Sequence, residues 1–240
     1  RARQEERRRE VTSMAASSAA AASSSTAASS TPPAVALIAD GLYLGSTACV
    51  DSSALAALGV THLVNVTVDS PQPEGGFESM RVPVKDDLHE PLHEHLEAAA
   101  GFIHNAVEPP ANGRVCVFCA TGKSAAPAVL CYYLMRQRAT SLAAALAAVE
   151  AAWPGARPNV GFWQRLVEAE SWLHGVEQPS ISVQQFRWQH IERAFSDKVR
   201  PDAQGEERDA QREELLRMLL AAQAEASELL RQKTEWKGAS

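Results

Sequence analysis

Apolar residues in the central part of the chain alternate between short runs and longer stretches at helical spacing. The short, β-prone runs predict strands at residues 42–44, 62–66, 80–84 and 115–118. The longer stretches predict helices at residues 52–58, 91–107, 124–136, 141–152 and 160–173. Strands that alternate with helices in this way indicate an α/β domain, in which helices cover the faces of a central sheet.

Composition changes at both ends of this α/β region, which occupies residues 34–174. Residues 1–13 are mostly charged and residues 14–33 are almost wholly Ala, Ser and Thr, so we expect residues 1–33 to be a disordered leader. Residues 175–240 form a predicted helical extension, in which residues 206–233 carry apolar side chains at coiled-coil spacing. That stretch predicts either a helix that folds back on its own domain or stays in solvent, or a helix that contacts a protein partner.

Charge and cysteine content narrow the classes of function. The chain has 240 residues, with 23 Lys+Arg against 29 Asp+Glu, so its net charge gives no reason to bind nucleic acid or an anionic membrane. No apolar run approaches the roughly 20 residues of a membrane-spanning helix. The 4 cysteines are too scattered for a secreted disulfide framework. We therefore expect an intracellular protein, in the cytoplasm or also in the nucleus.

The most informative segment is residues 118–126, which connects a predicted buried strand to a predicted helix. Cys119 falls close to the start of that helix, where free N–H groups and the helix dipole stabilise both a thiolate and a bound phosphate. Gly122 allows a tight turn that directs N–H groups inward, and Ser124 is placed to cap the helix. A core cysteine followed by an ordinary turn would give the same local pattern. Residues elsewhere in the chain are therefore needed to distinguish a phosphate-binding loop from an ordinary turn.

Several ordered segments between residues 34 and 174 resemble the dual-specificity protein phosphatases, and most of all the small atypical members of that family. They are Gly41–Ser46, Gly59–Val66, Val82–Asp86, the Cys119 loop followed by Tyr133–Met135, and Arg157–Trp163. The resemblance implies a central mixed sheet flanked by helices and a shallow cleft above the loop. It also implies phosphorylated proteins as partners, whether through phosphotyrosine or phosphoserine/threonine, and chemistry that needs no cofactor or metal.

The same resemblance assigns roles to individual residues. Cys119 matches the nucleophile that accepts the phosphoryl group, and Asp86 matches the general acid, with Asp87 as the alternative. The phosphate-binding loop corresponds to Ala120, Thr121, Gly122, Lys123, Ser124 and Ala125.

Three side chains that the family pattern requires are missing. The pattern is His-Cys, five residues, Arg, then Ser or Thr, whereas this chain has Phe118, Ala125 and Ala126 at the His, Arg and hydroxyl positions. An arginine holds two phosphate oxygens at once, and arginines that stabilise phosphoryl transfer are worth about 10³–10⁵ in rate. Phe118 is expected to remove a polar group beside the sulfur, and Ala126 to slow release of a phosphoryl-cysteine unless Ser124 reaches the sulfur instead.

Two hypotheses follow. The first is a pseudophosphatase that binds or scaffolds phosphoproteins; the second is a weak phosphatase in which Lys123, the cation of the loop, or a residue from elsewhere supplies charge.

Trp153 is a further departure from the family pattern, since relatives often place Arg there. It predicts either a surface turn between two helices or an altered partner surface.

Two other motif-like strings have simpler explanations. His89-Glu-Pro-Leu-His93 matches a zinc-protease string, but Pro91 interrupts the helix that would put both imidazoles on one face. Cys116 and Cys119 form a Cys-x-x-Cys pair, but residues three apart in a strand lie on opposite faces, roughly 10 Å apart. We therefore expect solvated histidines and a core Cys116.

Overall fold

The computed structural model describes residues 35–49 and 51–187, together with residues 189, 213, 217 and 221. The predicted leader at residues 1–33 lies outside the described residues. So does most of the predicted coiled-coil stretch at residues 206–233, of which only positions 213, 217 and 221 are described, each in helical conformation. Both assignments therefore stay predictions.

The described chain forms a mixed five-stranded sheet with helices packed on it, which confirms the predicted fold class. The strands lie in the order β1-β2-β5-β3-β4, and β1 pairs antiparallel with β2 while the remaining neighbours are parallel. Their bounds are Val35–Ala39 (β1), Leu42–Ser46 (β2), His62–Asn65 (β3), Glu78–Arg81 (β4) and Val115–Cys119 (β5).

Strand β1 was not predicted, although the sequence contains its signal. Asp40-Gly41 separates two apolar runs, and Asp-Gly is among the strongest hairpin signals because the turn needs positive φ. Gly41 indeed has φ 72°, and the two strands pair on either side of it. The run Val35–Ala39 follows directly on the Ala/Ser-rich leader, which hides the boundary between them.

Strand β4 lies earlier in the chain than the prediction of residues 80–84. The ladder to β3 ends soon after Arg81, with a last hydrogen bond of 2.9 Å from Val82 N to Asn65 O. Pro83 has no N–H to continue the ladder, and Val84 N turns back to Val82 O. The backbone therefore leaves the sheet at the point where it enters the loop that carries Asp86.

The helices agree with the predicted ones to within a few residues. They span Ser52–Ala57 (α1), His93–Val107 (α2), Ala125–Arg138 (α3), Leu142–Ala152 (α4) and Val160–His174 (α5). Helices α1, α4 and α5 begin at side-chain caps, in which Asp51, Ser141 and Asn159 accept from N–H groups of the first turn. A single 3₁₀ turn, Thr47–Cys49, follows β2.

The two faces of the sheet are unequal. In β5, Val115, Val117 and Cys119 belong to the main core, which also contains buried residues from α2 to α5. Cys116 and Phe118 alternate with them and belong to a smaller cluster that includes Leu55 of α1. The prediction that Cys116 is a core residue on the face opposite Cys119 is therefore confirmed.

The segment after α5 packs onto the same core. Phe186 stacks on Trp163 with ring centroids 3.7 Å apart, and Ile181 belongs to the main core. The buried Glu170 accepts hydrogen bonds of 2.8 Å from the backbone N–H groups of both Leu142 and Ser180. This carboxylate ties the segment to the start of α4. None of the described helices is both long and apolar enough to cross a bilayer.

Candidate active site

The Cys119 loop connects the end of β5 to the start of α3. The parallel neighbour β2 pairs Ser46 with Cys119, and the next residue, Thr47, donates from both its N–H and its hydroxyl to Ala120 O, at 3.4 and 3.0 Å. The first residue of the loop is thus fixed by the adjacent strand. Cys119 is 5% exposed and is the last residue of the central strand β5, close to the free N–H groups at the start of α3.

The predicted phosphate-binding loop contains both exposed and buried residues. Ala120, Thr121 and Lys123 are exposed, whereas Gly122, Ser124 and Ala125 are buried. Gly122 adopts φ 69°, as its predicted role in a tight turn requires. Lys123 N donates to Thr121 Oγ1 at 3.3 Å, so the loop closes on itself around the glycine.

Ser124 does not cap α3 as predicted. Its side chain makes no capping hydrogen bond, although it occupies the residue before the helix. Its hydroxyl instead donates to Asp86 Oδ1 at 2.5 Å and accepts from Asn159 N at 2.9 Å. A stronger acceptor, the Asp86 carboxylate, therefore competes successfully with the helix N-terminus for this hydroxyl.

Asp86 is the candidate acid that the fold brings to the loop. Its Oδ1 accepts from both Ser124 and Asn159 Nδ2, at 2.5 and 2.8 Å. The alternative, Asp87, uses its carboxylate within its own turn, where Oδ1 accepts from His89 N at 2.9 Å. Of the two carboxylates, only Asp86 has a side-chain hydrogen bond to the phosphate loop among the described residues.

Asn159 is a member of the site for which the sequence analysis proposed no role. Both ends of its amide are used, because Oδ1 accepts from Phe162 N at 2.9 Å and Nδ2 donates to Asp86 Oδ1 and to Asp87 O. Its backbone N–H meets the Ser124 hydroxyl. The helix-capping half of this role had a sequence signal, an Asn directly before a helical stretch. The bond to Asp86 spans 73 positions and had none.

The three residues that replace the family's His, Arg and hydroxyl side chains are all buried in apolar surroundings. Ala125 and Ala126 are 3% and 0% exposed and belong to the main core. Phe118 packs in the smaller cluster on the opposite face of the sheet from Cys119. The expectation that Phe118 changes the surroundings of the sulfur directly was therefore wrong, since alternation along β5 points the two side chains apart.

The predicted turn between two helices is present at Pro154–Gly155, where Pro154 is exposed, but Trp153 itself is buried. The alternative of an altered partner surface stays a prediction. Trp153 is 6% exposed and belongs to the same core as Ala125 and Ala126. A Cβ built on Gly122 would lie 2.8 Å from Trp153 Cζ2 and 3.1 Å from Cε2. The indole therefore lies directly against the backbone of the phosphate loop.

The other motif-like residues do not join the site. Helix α2 begins at His93, so His89 precedes it and the two imidazoles do not share a helix face. Among the described residues, no group of three or more His, Cys, Asp or Glu side chains could hold a metal ion. Burial raises the pKa of the Cys131 thiol, so this cysteine of α3 stays protonated and is a poor nucleophile.

Comparison with known proteins establishes the family. Residues 42–172, more than half of the chain, match the model of the dual specificity phosphatase catalytic domain. The chain therefore belongs to the dual-specificity phosphatase family.

Individual relatives cover the same region. The chain is 40% identical over 154 residues to human dual specificity phosphatase 28, covering 61% of this chain and 86% of that protein. It is 34% identical over 145 residues to human dual specificity protein phosphatase 14, covering 59% and 71%. The crystal structure of human DUSP28 superposes with a TM-score of 0.58 at 41% identity, over 61% of this chain and 99% of that one. A mouse putative dual specificity phosphatase complexed with zinc tungstate has a TM-score of 0.58 at 36% identity, over 63% and 96%.

Proposed function

We propose that this chain binds phosphorylated side chains of other proteins at the Cys119 loop and hydrolyses them slowly or not at all. This proposal rests on one observation: the features that shape the loop are present, whereas the side chains that the family uses for catalysis are absent. The turn at Gly122 and the hydrogen bonds of Ser124 are present. The arginine and hydroxyl positions, however, hold Ala125 and Ala126. The chain thus keeps features that shape an anion-binding loop and lacks those that stabilise the transition state.

The missing arginine is the larger loss. A guanidinium would hold two phosphate oxygens in a planar fork, and a lysine cannot reproduce that geometry. Removing one transition-state hydrogen-bond donor costs about 10²–10³ in rate, and an arginine in phosphoryl transfer about 10³–10⁵. Backbone N–H groups at the start of α3 remain to bind the anion, as at other helix N-termini.

Ser124 is a poor substitute for the hydroxyl lost at position 126. Its Oγ already donates to Asp86 and accepts from Asn159 N. To assist the release of phosphate from Cys119, it would have to break a charge-assisted hydrogen bond to Asp86. Both chemical steps, transfer to sulfur and release from it, therefore lack a side chain that the family pattern supplies.

The relatives support binding of a tetrahedral oxyanion. The mouse relative was solved as a complex with zinc tungstate, and tungstate has the tetrahedral shape of phosphate. We propose that the Cys119 loop of this chain binds the same class of anion, presented as phosphotyrosine or phosphoserine/threonine. A contact between a protein partner and the stretch at residues 206–233 is a separate proposal, based on its apolar spacing.

The alternative is a weak phosphatase, and one observation favours it. Asp86 is held at the loop by two donors on the same oxygen, an arrangement that leaves Oδ2 as the carboxyl oxygen for carrying a proton. Cys119 would form the bond to phosphorus while Asp86 protonates the leaving oxygen, and Lys123 would supply the charge in the loop. This hypothesis requires a native rate that depends on Cys119.

The two hypotheses are separated by hydrolysis of an aryl phosphate. The native full-length chain is assayed beside Cys119→Ser and the double variant Ala125→Arg/Ala126→Ser, and tungstate binding is measured for each by calorimetry. We expect native tungstate binding, no native hydrolysis above that of Cys119→Ser, and at least about a 10²-fold gain in the double variant. Native hydrolysis that disappears in Cys119→Ser establishes the weak phosphatase instead. Absence of tungstate binding by the native chain refutes the binding function.

A further inference from the structure

The segment between α4 and α5, residues 153–159, touches the phosphate loop through an aromatic ring, a main-chain hydrogen bond and a side-chain network. We propose that this segment is a clamp that holds the loop in its anion-binding form, with Trp153 and Asn159 as its positioning residues. This inference rests on the proposed binding function, and it identifies the residues that maintain the loop conformation needed for binding.

Trp153 closes the space behind Gly122. The ideal Cβ position of Gly122 is 2.8 Å from Trp153 Cζ2 and 3.1 Å from the carbonyl oxygen of Gly45. The indole and a carbonyl of strand β2 therefore both line the space that a side chain at position 122 would occupy. Because Gly122 has positive φ, a loop without this support could relax into more common conformations.

The second contact is a backbone hydrogen bond. Arg157 N donates to Lys123 O at 2.5 Å, next to the glycine in the loop. Two residues further on, Asn159 N donates to the Ser124 hydroxyl at 2.9 Å. Consecutive loop residues 122, 123 and 124 thus each meet one member of the segment.

The clamp itself is fixed at both ends. Trp153 N donates to Val149 O at 2.8 Å, which keeps it in register with the end of α4. Asn159 caps α5 through Phe162 N. A segment anchored to two helices loses little conformational entropy on contacting the loop, so it can stabilise one loop conformation.

Asn159 extends the clamp to the acid loop. Its Nδ2 donates to Asp86 Oδ1 at 2.8 Å, and the same oxygen accepts from Ser124. Ser124, Asp86 and Asn159 form a closed set of hydrogen bonds among three parts of the chain. In the family pattern a guanidinium would lie at position 125 of this loop; here Ala125 is buried in the main core, to which Trp153 also belongs. The support for the loop therefore comes from outside it.

Trp153→Leu tests the aromatic contact in the full chain, with tungstate as the probe and calorimetry as the readout. Trp172→Leu is the matched control, because Trp172 lies on α5 and is 74% exposed. We expect Trp153→Leu to weaken tungstate binding at least tenfold at a temperature well below its unfolding midpoint, and Trp172→Leu to bind as the native chain does. A lower midpoint with unchanged tungstate affinity would show that Trp153 serves only the core, and would overturn its part of the clamp.

Asn159→Asp tests the side-chain network while it preserves the helix cap, since Asp is as good a cap as Asn. The new carboxylate faces the Asp86 carboxylate, so we expect at least a tenfold loss of tungstate affinity, measured at a temperature well below the unfolding midpoint of the variant. The reciprocal double variant Asn159→Asp/Asp86→Asn restores a donor opposite an acceptor and should recover most of the affinity.

Net charge is controlled by a second double variant, Asn159→Asp/Asp87→Asn. It carries the same charge as the reciprocal swap, but position 87 meets Asn159 through its backbone carbonyl and cannot rebuild the pair. Recovery in the reciprocal swap alone supports the clamp. Equal recovery in both double variants, or native affinity in Asn159→Asp, overturns it. A native chain that binds no tungstate refutes the proposed function itself, a result distinct from unchanged affinity among the variants.

Discussion

At Gly161 the start of α5 packs against the backbone of the loop that carries Asp86. A Cβ there would lie 2.7 Å from the carbonyl carbon and 2.9 Å from the Cα of Leu88, and nearer still to the carbonyl oxygen. All three atoms are backbone, so no rotamer change relieves the overlap. Gly161→Ala must therefore move either the helix or the loop between Asp86 and Pro91.

The expected cost combines two opposing effects. Overpacking in a closely packed region costs about 1–3 kcal/mol, and occasionally more, whereas replacing Gly by Ala in a helix gains up to about 1 kcal/mol. Because the overlap is with backbone, we expect the steric cost to lie at the upper end and the variant to lose about 2 kcal/mol. For a domain of this size that lowers the unfolding midpoint by about 4–8 °C.

Thermal unfolding of Gly161→Ala beside Gly101→Ala measures this effect. Gly101 lies within α2, and a Cβ built on it meets no atom within 4 Å, so that variant should be stabilised by up to about 1 kcal/mol. Tungstate affinity should also fall in Gly161→Ala, since the displaced loop carries Asp86 away from Ser124. Two variants of equal stability would refute the argument that backbone contact with Leu88 requires glycine at position 161.

Two other predictions concern packing away from the site. Phe186→Ala should lose about 3–5 kcal/mol of unfolding free energy, because removing a fully buried ring leaves a cavity beside Trp163. Urea unfolding measures this loss against the exposed control Gln184→Ala. Equal midpoints of the two variants would show that this segment adds nothing to the core. The Tyr132 hydroxyl holds the pKa of Glu97 below its ordinary value, so this pair stabilises the fold at pH above the ordinary pKa of a glutamate and its contribution is lost as pH falls. Tyr132→Phe should therefore unfold at a lower temperature than the native chain at pH 7, with the difference narrowing as pH falls below the ordinary pKa of a glutamate. A difference that stays constant with pH would contradict this coupling.

Local patterns were sufficient to predict most of the fold. The apolar run at residues 115–118 and the helical spacing at residues 160–173 each predicted an element within about two residues of the observed one. The end of β4 was misplaced because apolar residues continue past Arg81, while Pro83 removes the N–H that the ladder needs. The residues that determine where each of these elements begins and ends lie within or directly beside the element.

The site was less predictable because its decisive contacts join distant residues. The pattern of Gly122 before a helix predicted a tight turn, and the turn is there. No local pattern indicates that the Ser124 hydroxyl binds Asp86, 38 positions away, in preference to the helix N-terminus beside it. For the same reason Trp153, placed in a Pro/Gly-rich turn, gave the sequence pattern of a surface residue although its indole is buried against the loop.

These long-range contacts bear on how a phosphatase loop can lose its catalytic side chains and still keep its shape. Thr47, Trp153, Arg157 and Asn159 contact the loop from outside, and none of them would make or break a bond to phosphorus. Asp86 also holds the loop, through Ser124, and is the one support that is at the same time the candidate acid. Under the proposed function, the alanines at positions 125 and 126 take away transition-state stabilisation and leave these supports in place. We therefore expect binding and turnover to be separable in this loop to the extent that they depend on different residues. A side chain restored at position 125 should act on an already formed loop and affect rate more than affinity for an oxyanion.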